Sequence, residues 1–167
     1  MAPLTDAAFA TLYERNARSL WTYAYRITGN TADADEIVQE TFVRVLGADI
    51  PEADENARRY LFRVASNLAT DRWRRVVREE RTLRSADTAA TVTPPSLPDH
   101  DVAQTFAALA PRDRALLWLA YVEGETHEAI ADALRVKRGS IKVMLHRARG
   151  RLRGLLRARG LDRNVSS

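Results

Sequence analysis

The 167-residue chain contains no cysteine, only seven glycines and six prolines, and no long hydrophobic run. Without cysteine, disulfide bonds and thiolate metal sites are excluded, and the three histidines lack the sequence spacing of metal ligands. Little glycine and proline between long periodic segments is typical of helical proteins, so the sequence predicts an all-α fold. Because no segment reaches membrane-spanning length and the first residues lack a signal-sequence pattern, we expect a cytoplasmic protein without membrane insertion.

Charge is distributed unevenly along the chain, although the overall net charge is only +4. Residues 1–57 contain ten acidic and four basic side chains, whereas residues 58–167 contain twelve acidic and twenty-two basic ones. The first third is therefore negative by six charges and the remainder is positive by ten. Opposite signs in two parts of one chain indicate two partners of opposite charge.

The most informative stretch, residues 123–156, predicts two helices joined by a tight turn. The first predicted helix spans Thr126–Leu134, the turn is Arg135-Val136-Lys137, and the second helix begins near Gly139. Apolar residues of the second helix follow the spacing of a buried stripe: Ile141, Leu145, Ala148, Leu152 and Leu155. With no acidic residue from 135 to 161, this is the outline of a helix-turn-helix that places its second helix in the DNA major groove. A solvated basic helix that closes a bundle is the alternative, although so one-sided a charge repels itself unless phosphate is nearby.

The acidic part of the chain predicts two further helices. The first runs from an N-cap at Thr5 to a stop at Gly29, and its aromatic residues follow core spacing. The second is capped by Thr31 and ends at Gly47. Its polar side carries Asp35, Glu36, Gln39 and Glu40. Carboxylates are favoured near the positive end of a helix, but the same face equally suits docking on a basic surface of a partner.

A third predicted helix, from about Ala57 to Leu83, combines an aromatic side chain with arginines. Its polar residues form one narrow stripe: Asn67, Asp71, Arg74, Arg75 and Arg78. Trp73 and Arg72 stand within the same segment. An aromatic ring among guanidinium groups suits single-stranded nucleic acid, whose bases stack and whose phosphates are neutralised. The alternative is that Trp73 covers the core beside solvated arginines.

Residues 85–100 (SADTAATVTPPSLPDH) contain three prolines and no period that could bury a face. They predict a flexible linker between two small helical domains, residues 1–84 and residues 101–167. Neither predicted domain contains a glycine-rich phosphate loop, a Ser/His/Asp set or clustered histidines with carboxylates. The sequence therefore predicts a binding protein rather than an enzyme, with no cofactor, no metal and no small-molecule substrate.

Three segments, taken in order, resemble the sigma-70 family of RNA polymerase sigma factors, above all its extracytoplasmic-function (ECF) group. DADEIVQETFVRVL (residues 33–46) resembles the helix that grips the clamp helices of RNA polymerase. RRYLFRVASNLATDRWRR (residues 58–75) resembles the segment that melts and reads the −10 promoter element, and residues 109–152 resemble the helix-turn-helix domain that reads the −35 element. The resemblance covers almost the whole chain and implies two all-α domains, sigma region 2 and sigma region 4, that direct transcription initiation.

The resemblance also implies roles for particular residues. The core-polymerase contact would comprise Asp35, Glu36, Gln39, Glu40, Phe42 and Arg44. The −10 element would be contacted by Asn67, Asp71, Trp73, Arg74 and Arg75, with residues 48–56 forming a pocket for a flipped base. The −35 element would be contacted by Arg138, Ser140, Lys142, Val143, Met144 and Arg147. The implied partners are core RNA polymerase, promoter DNA and an anti-sigma factor.

The chain departs from the family pattern in its helix-turn-helix. Family members usually have glycine where this chain has Arg135, and proline near Lys137. They commonly have a serine–arginine pair where this chain has Val143-Met144, and losing that arginine removes a guanine contact worth about 1–3 kcal/mol of discrimination. Two interpretations stay open: an atypical −35 sequence read through thymine methyl groups, or a weaker DNA grip that the additional arginines offset.

Two other classes of function compete with a sigma factor. A helix-turn-helix repressor or activator would bind DNA without polymerase, but it needs neither the acidic second helix nor the arginine and tryptophan of the third. An interaction protein would bind an acidic partner or an anionic membrane surface through its basic helices. The basic terminal helix lacks bulky aromatic residues on its apolar side, which argues against membrane insertion.

Overall fold

The structure, a computed structural model, describes residues 4–50, 54–82 and 100–161, and every regular element in these ranges is helical. In chain order the helices are α1 (Asp6–Thr28), α2 (Thr31–Leu46), α3 (Asp54–Thr82), α4 (His100–Ala107), α5 (Pro111–Leu117), α6 (His127–Leu134) and α7 (Ile141–Ala158). A π-helical turn, Trp118–Val122, follows α5, and a 3-10 turn, Arg138–Ser140, precedes α7. The all-α prediction is confirmed, whereas the predicted linker, apart from His100, lies outside the described residues. Within the described residues, no helix combines the length and the apolar character needed to cross a membrane.

The ends of the first helices follow capping chemistry. The Thr5 hydroxyl accepts a hydrogen bond from the Ala8 amide at 3.2 Å, and Gly29, with a φ of 69°, ends α1 as predicted. The N-cap of α2 is Asn30 rather than the predicted Thr31, since the Asn30 side chain accepts from the Asp33 amide at 3.2 Å. The prediction was wrong by one residue because asparagine is the better N-cap of the two.

The N-terminal domain is a three-helix unit in which α1, α2 and α3 all contact one another. Leu20, Ile37 and Leu61, one from each helix, are fully buried at its centre. The Tyr23 hydroxyl is hydrogen-bonded to the Ser66 hydroxyl across the interior, 2.5 Å away, and burial raises the pKa of Tyr23. This pair satisfies two polar groups that would otherwise be costly inside the core.

The C-terminal domain consists of α4, α5, α6 and α7. Pro111 occupies the first turn of α5, where its missing amide hydrogen costs nothing. A small apolar cluster of Leu109, Leu117 and Ala148 joins the start of the domain to α7. The Arg151 guanidinium donates to the buried Asp113 carboxylate at 2.9 Å, which fixes α7 on α5.

The two domains share one hydrophobic core. Helix α6 packs along α3 and α5 packs against α1. As a result, Ile27 and Ala69 of the first domain lie in the same buried cluster as Leu119, Ile130 and Leu134 of the second. Each domain alone is small for a stable core, and a continuous apolar interior stabilises both.

Ile130→Ala is expected to lower the free energy of unfolding by about 2–5 kcal/mol, because it removes part of a fully buried side chain from the shared core. Val76→Ala, at an exposed position of α3, is the matched control and is expected to change it by at most about 0.5 kcal/mol. Urea denaturation followed by circular dichroism and by tryptophan fluorescence measures both variants. Two separate transitions in the parent protein would contradict a shared core.

Candidate nucleic-acid and polymerase interfaces

A broad groove of about 630 Å³ runs between α1 and α2. It is lined by the exposed side chains Tyr13, Val43 and Leu46 and by the polar residues Asp35 and Gln39. Phe42, at 4% exposure, forms its floor, with its ring 4.8 Å from that of Tyr13 and 6.0 Å from that of Phe9. Leu46 lies on the apolar side of α2 and is nevertheless 54% exposed, because a partly apolar docking face has the same helical spacing as a buried one. Exposed apolar side chains beside carboxylates suit a protein partner with apolar and basic groups.

The carboxylates along the edge of this groove are oriented by neighbouring side chains. The Trp21 indole Nε1 donates to Asp35 at 2.7 Å, so Trp21 is a half-buried residue that positions Asp35. Arg44 Nε lies 3.2 Å from Glu40 one turn earlier, and both side chains are about half exposed. Five of the predicted polymerase-contact residues are exposed and form an acidic face with one basic member: Asp35, Glu36, Gln39, Glu40 and Arg44. The sixth, Phe42, is buried in the groove floor.

Arg72 lies on α3 but contacts α2. Its guanidinium donates to Asp33 at 2.9 Å and to Glu36 at 2.6 Å. In the sequence Arg72 stands among the arginines that suit nucleic acid, whereas in the structure its guanidinium binds two carboxylates of α2. Arg72 thus couples the position of that face to the position of α3.

The residues predicted for −10 recognition lie along α3, and they are not equally exposed. Trp73, at 38% exposure, borders two clefts, one of about 70 Å³ facing the C-terminal domain and one of about 270 Å³ beside Val76. Arg75 is exposed and makes no ion pair within the described residues. Asn67 is half-buried, and its Oδ1 lacks a hydrogen-bond partner. Residues 51–53 of the predicted base pocket lie outside the described residues.

The helix-turn-helix consists of α6, a connection that includes the 3-10 turn, and α7. The Thr126 hydroxyl accepts from the Ala129 amide at 3.1 Å and caps α6. At the other end Arg135 adopts a left-handed conformation (φ 55°, ψ 46°), which glycine adopts without steric cost. The second helix begins as predicted near Gly139, although the regular α-helix starts at Ile141.

The predicted −35 residues lie at the start of this second helix. Arg138, Lys142, Val143 and Arg147 are exposed, whereas Ser140 and Met144 are half-buried. Met144 packs partly against the shared core, so less of its side chain is available to DNA. The exposed basic surface also extends to His146 and Arg149, which helical spacing places beyond the predicted contacts.

A second apolar groove, also of about 630 Å³, lies between α4, the π-helical turn and α7. Tyr121 and Val122 are exposed in it, and the Trp118 indole Nε1 is buried without a hydrogen-bond partner. Sequence reasoning missed this groove because a π-helical turn departs from the 3.6-residue period on which helical-face predictions depend. Arg26 and Arg149 contribute to its lining and give it a basic margin.

Comparison with known proteins assigns both halves of the chain. Residues 12–79 match the family model of sigma-70 region 2, and residues 100–152 match that of sigma-70 region 4. The ECF RNA polymerase sigma factor SigL of Mycobacterium tuberculosis is 34% identical to this chain, over 98% of this chain and 100% of its own length. The ECF RNA polymerase sigma factor SigW of Bacillus subtilis is 26% identical over 90% of this chain and 89% of its own.

Two solved structures share the architecture. CnrH, in complex with the cytosolic domain of CnrY, superposes with a TM-score of 0.62 at 26% identity, covering 92% of this chain and 90% of CnrH. The sigma factor RpoE of Bartonella quintana, in complex with the anti-sigma factor NepR, gives a TM-score of 0.66 at 21% identity. That comparison covers 89% of this chain and 96% of RpoE, and it shows a common fold.

The chain has an N-terminal three-helix domain, in which α2 is acidic and α3 carries arginines, followed by a helix-turn-helix domain. This combination defines a non-enzymatic promoter-specificity subunit. The chain belongs to the sigma-70 family, in its extracytoplasmic-function group. It is therefore a sigma factor, which directs promoter recognition with RNA polymerase. The predictions of family, of fold class and of a non-enzymatic function are confirmed, and the roles of individual residues stay predictions.

Arg72→Met and Arg75→Met are expected to differ in DNA binding, although both remove one positive charge from α3. In complex with core polymerase, Arg75→Met should lower the salt dependence of binding to single-stranded non-template DNA by about 0.7 in log–log slope, because one phosphate contact is lost. Arg72→Met should leave that slope unchanged, because its guanidinium is bound by α2 carboxylates. Fluorescence anisotropy across a salt series measures both slopes, and equal losses would mean that Arg72 also contacts phosphate.

Proposed function

We propose that this sigma factor binds core RNA polymerase through the groove between α1 and α2, melts and reads the −10 element with α3, and binds the −35 element with α7. The observation that carries the proposal is the presence, on one chain, of an apolar groove beside the carboxylates of α2 and of two basic helices. A repressor that acts without polymerase needs no such groove. This alternative therefore does not account for the exposed apolar side chains of Tyr13, Val43 and Leu46.

The polymerase contact combines apolar and electrostatic complementarity. Val43 and Leu46 supply the apolar part, and Asp35, Glu36 and Glu40 supply the negative charge. Apolar burial contributes most of the affinity at such an interface, while the charges favour a basic partner and raise the association rate. Because Trp21 and Arg72 already orient two of these carboxylates, little side-chain freedom is lost on binding.

Promoter opening is assigned to α3. Unstacking a base costs a few kcal/mol, and stacking of one base on an aromatic side chain returns about 1–3 kcal/mol. Trp73 is exposed enough to stack on a base, and Arg74 and Arg75, which follow it on α3, neutralise DNA phosphates. Asp71 lies about one turn before Arg74 and Arg75, and Asn67 lies about two turns before them. Both supply hydrogen-bonding groups, which suits the reading of an unstacked base.

Binding at the −35 element is assigned to the exposed start of α7. Arg138, Lys142 and Arg147 supply positive charge for phosphates or base edges. Val143 is exposed and suits a thymine methyl group, whereas the partly packed Met144 contributes less. The placement of these two residues favours an atypical −35 sequence with strong phosphate binding.

We also propose that an anti-sigma factor regulates this sigma factor. We further propose that the sigma factor acts in the cytoplasm, where promoter DNA and RNA polymerase are. The support is that RpoE, which shares its architecture, was solved in complex with the anti-sigma factor NepR, and CnrH in complex with the cytosolic domain of CnrY. The two apolar grooves, each of about 630 Å³, are surfaces available to such a partner.

Holoenzyme reconstitution tests the division of roles. The parent protein should co-elute with core polymerase on gel filtration and support run-off transcription. Leu46→Asp should abolish co-elution, because it places a charge in the apolar groove while leaving an exposed position of α2 folded. Arg74→Ala with Arg75→Ala should retain co-elution but lose open-complex formation, measured by permanganate reactivity. A parent protein that never joins polymerase would refute the proposal, and equal losses of both activities in all variants would refute the division.

The anti-sigma proposal makes a separate prediction. A candidate partner encoded beside this chain, purified and added in equimolar amount, should displace the sigma factor from core polymerase and stop run-off transcription. A neighbouring protein that binds the chain without displacing polymerase would count against regulation of this kind. An unrelated sigma factor serves as the specificity control.

A further inference from the structure

The basic surface of α7 continues well beyond the residues assigned to the −35 element. Lys142, His146, Arg149 and Arg153 are exposed and lie on one side of the helix, because they are separated by four, three and four residues. We call these four side chains the basic row. At 1.5 Å per residue, Arg149 and Arg153 lie about 10 Å and about 16 Å further along the helix axis than Lys142.

The positive charge in the second half of this row is not neutralised within the chain. Arg149 and Arg153 form no ion pair with any residue that the structure describes. The Asp113 carboxylate, which reaches α7 from α5, binds Arg151 instead, and no acidic residue occurs from 135 to 161. Like charges three or four residues apart repel each other and destabilise a helix. A bound anion would remove this cost.

The surroundings of the row favour a sugar–phosphate backbone over a protein surface as that anion. A protein interface has an apolar centre, whereas Gly150 and Gly154 are the exposed residues beside Arg149 and Arg153. An added Cβ atom at either glycine would meet nothing within 4 Å, so this side of α7 is open to close approach. Arg149 also lines the apolar groove beside α4, but Arg153 and the two glycines do not, so the row continues away from that groove.

The length of α7 is consistent with phosphate binding by the second half of the row. The major groove of B-form DNA is about 12 Å wide, and a recognition helix contacts base edges with the residues near its start. With Lys142 in the groove, positions about 10–16 Å further along the axis reach the edge of the groove. The sugar–phosphate strand that borders the groove lies there.

We propose that Arg149 and Arg153 bind the phosphate backbone of duplex DNA at the edge of the −35 major groove, independently of base sequence. The inference rests on the proposed binding of the −35 element by the start of α7, and it extends the DNA contact to the second half of the helix. Phosphate contacts hold the helix in register and supply affinity without reading bases. Because Met144 packs partly against the core, few side chains at the start of α7 are free to read bases, and these contacts supply much of the remaining affinity.

The double variant Arg149→Gln with Arg153→Gln tests the proposal in reconstituted holoenzyme. The probe is a duplex promoter fragment on which the parent holoenzyme supports run-off transcription, compared with the same fragment carrying a scrambled −35 element. Each phosphate contact contributes about 0.9 to the log–log salt slope of binding, so the variant should lower the slope by about 1.8 on both fragments. The affinity advantage of the parent should therefore shrink about tenfold from about 50 to about 200 mM salt. Fluorescence anisotropy at low temperature, where the strands stay paired, measures the slopes.

A matched pair of single variants separates a local contact from net charge. Arg153→Gln should lower the slope by about 0.9. Arg159→Gln removes the same charge from the exposed C-terminal end of α7, outside the basic row, and should leave the slope unchanged. Equal slopes for the double variant and the parent would refute the proposal, and so would an Arg159→Gln effect as large as that of Arg153→Gln. Circular dichroism confirms that each variant is folded.

Phosphate-ethylation interference maps the contact on the parent holoenzyme without relying on a variant. Ethyl groups on the phosphates that border the −35 groove should weaken binding of the parent but not of the double variant. No interference at these phosphates in the parent would overturn the proposal. Weaker co-elution of the double variant with core polymerase would identify the row as a protein contact and would also overturn it. A parent holoenzyme that binds no promoter fragment would refute the proposed function, whereas promoter binding with unchanged slopes refutes this inference alone.

Discussion

The packing of α6 on α3 is the contact on which the rest of the structure depends. Ile130 and Leu134 of α6 lie in one buried cluster with Ala69 of α3, so the first helix of the helix-turn-helix is also part of the N-terminal core. In an isolated helix-turn-helix that helix only supports its neighbour. Here it is shared between supporting α7 and covering α3. The same apolar contact that stabilises two small domains therefore also decides which DNA-facing residues are accessible.

Electrostatics divides the molecule into regions with separate tasks. Carboxylates are concentrated on α2, and arginines extend along α3 and α7. Where the two signs meet, Arg72 binds Asp33 and Glu36, which joins α2, the proposed polymerase contact, to α3, the proposed −10 DNA contact. If α2 docks on polymerase as proposed, a shift of α2 would reach α3 through these two direct hydrogen bonds. Surface ion pairs contribute little stability each, so their main effect here is on orientation.

Much of the fold could be predicted from the sequence because its signals are local. Thr5, Gly29 and Pro111 fix helix ends through their own backbone and side-chain chemistry, and the spacing of Ile141, Leu145 and Ala148 marks a buried face. The helical period of apolar residues indicates that one face of a helix is buried, but it does not indicate which element packs on that face. Exposed Leu46 therefore resembled a core residue, and the partners of Arg72 could not be inferred. The π-helical turn and the union of the two cores arise from tertiary packing, for which the sequence offers no local pattern.

The left-handed conformation of Arg135 has a genetic consequence. Every arginine codon becomes a glycine codon by a single base change, and glycine is the residue that this backbone position accommodates best. One nucleotide substitution is therefore enough to remove the steric cost of this turn. That substitution would also remove the 3.0 Å bond from Arg135 Nη1 to Asp71 Oδ1 of α3.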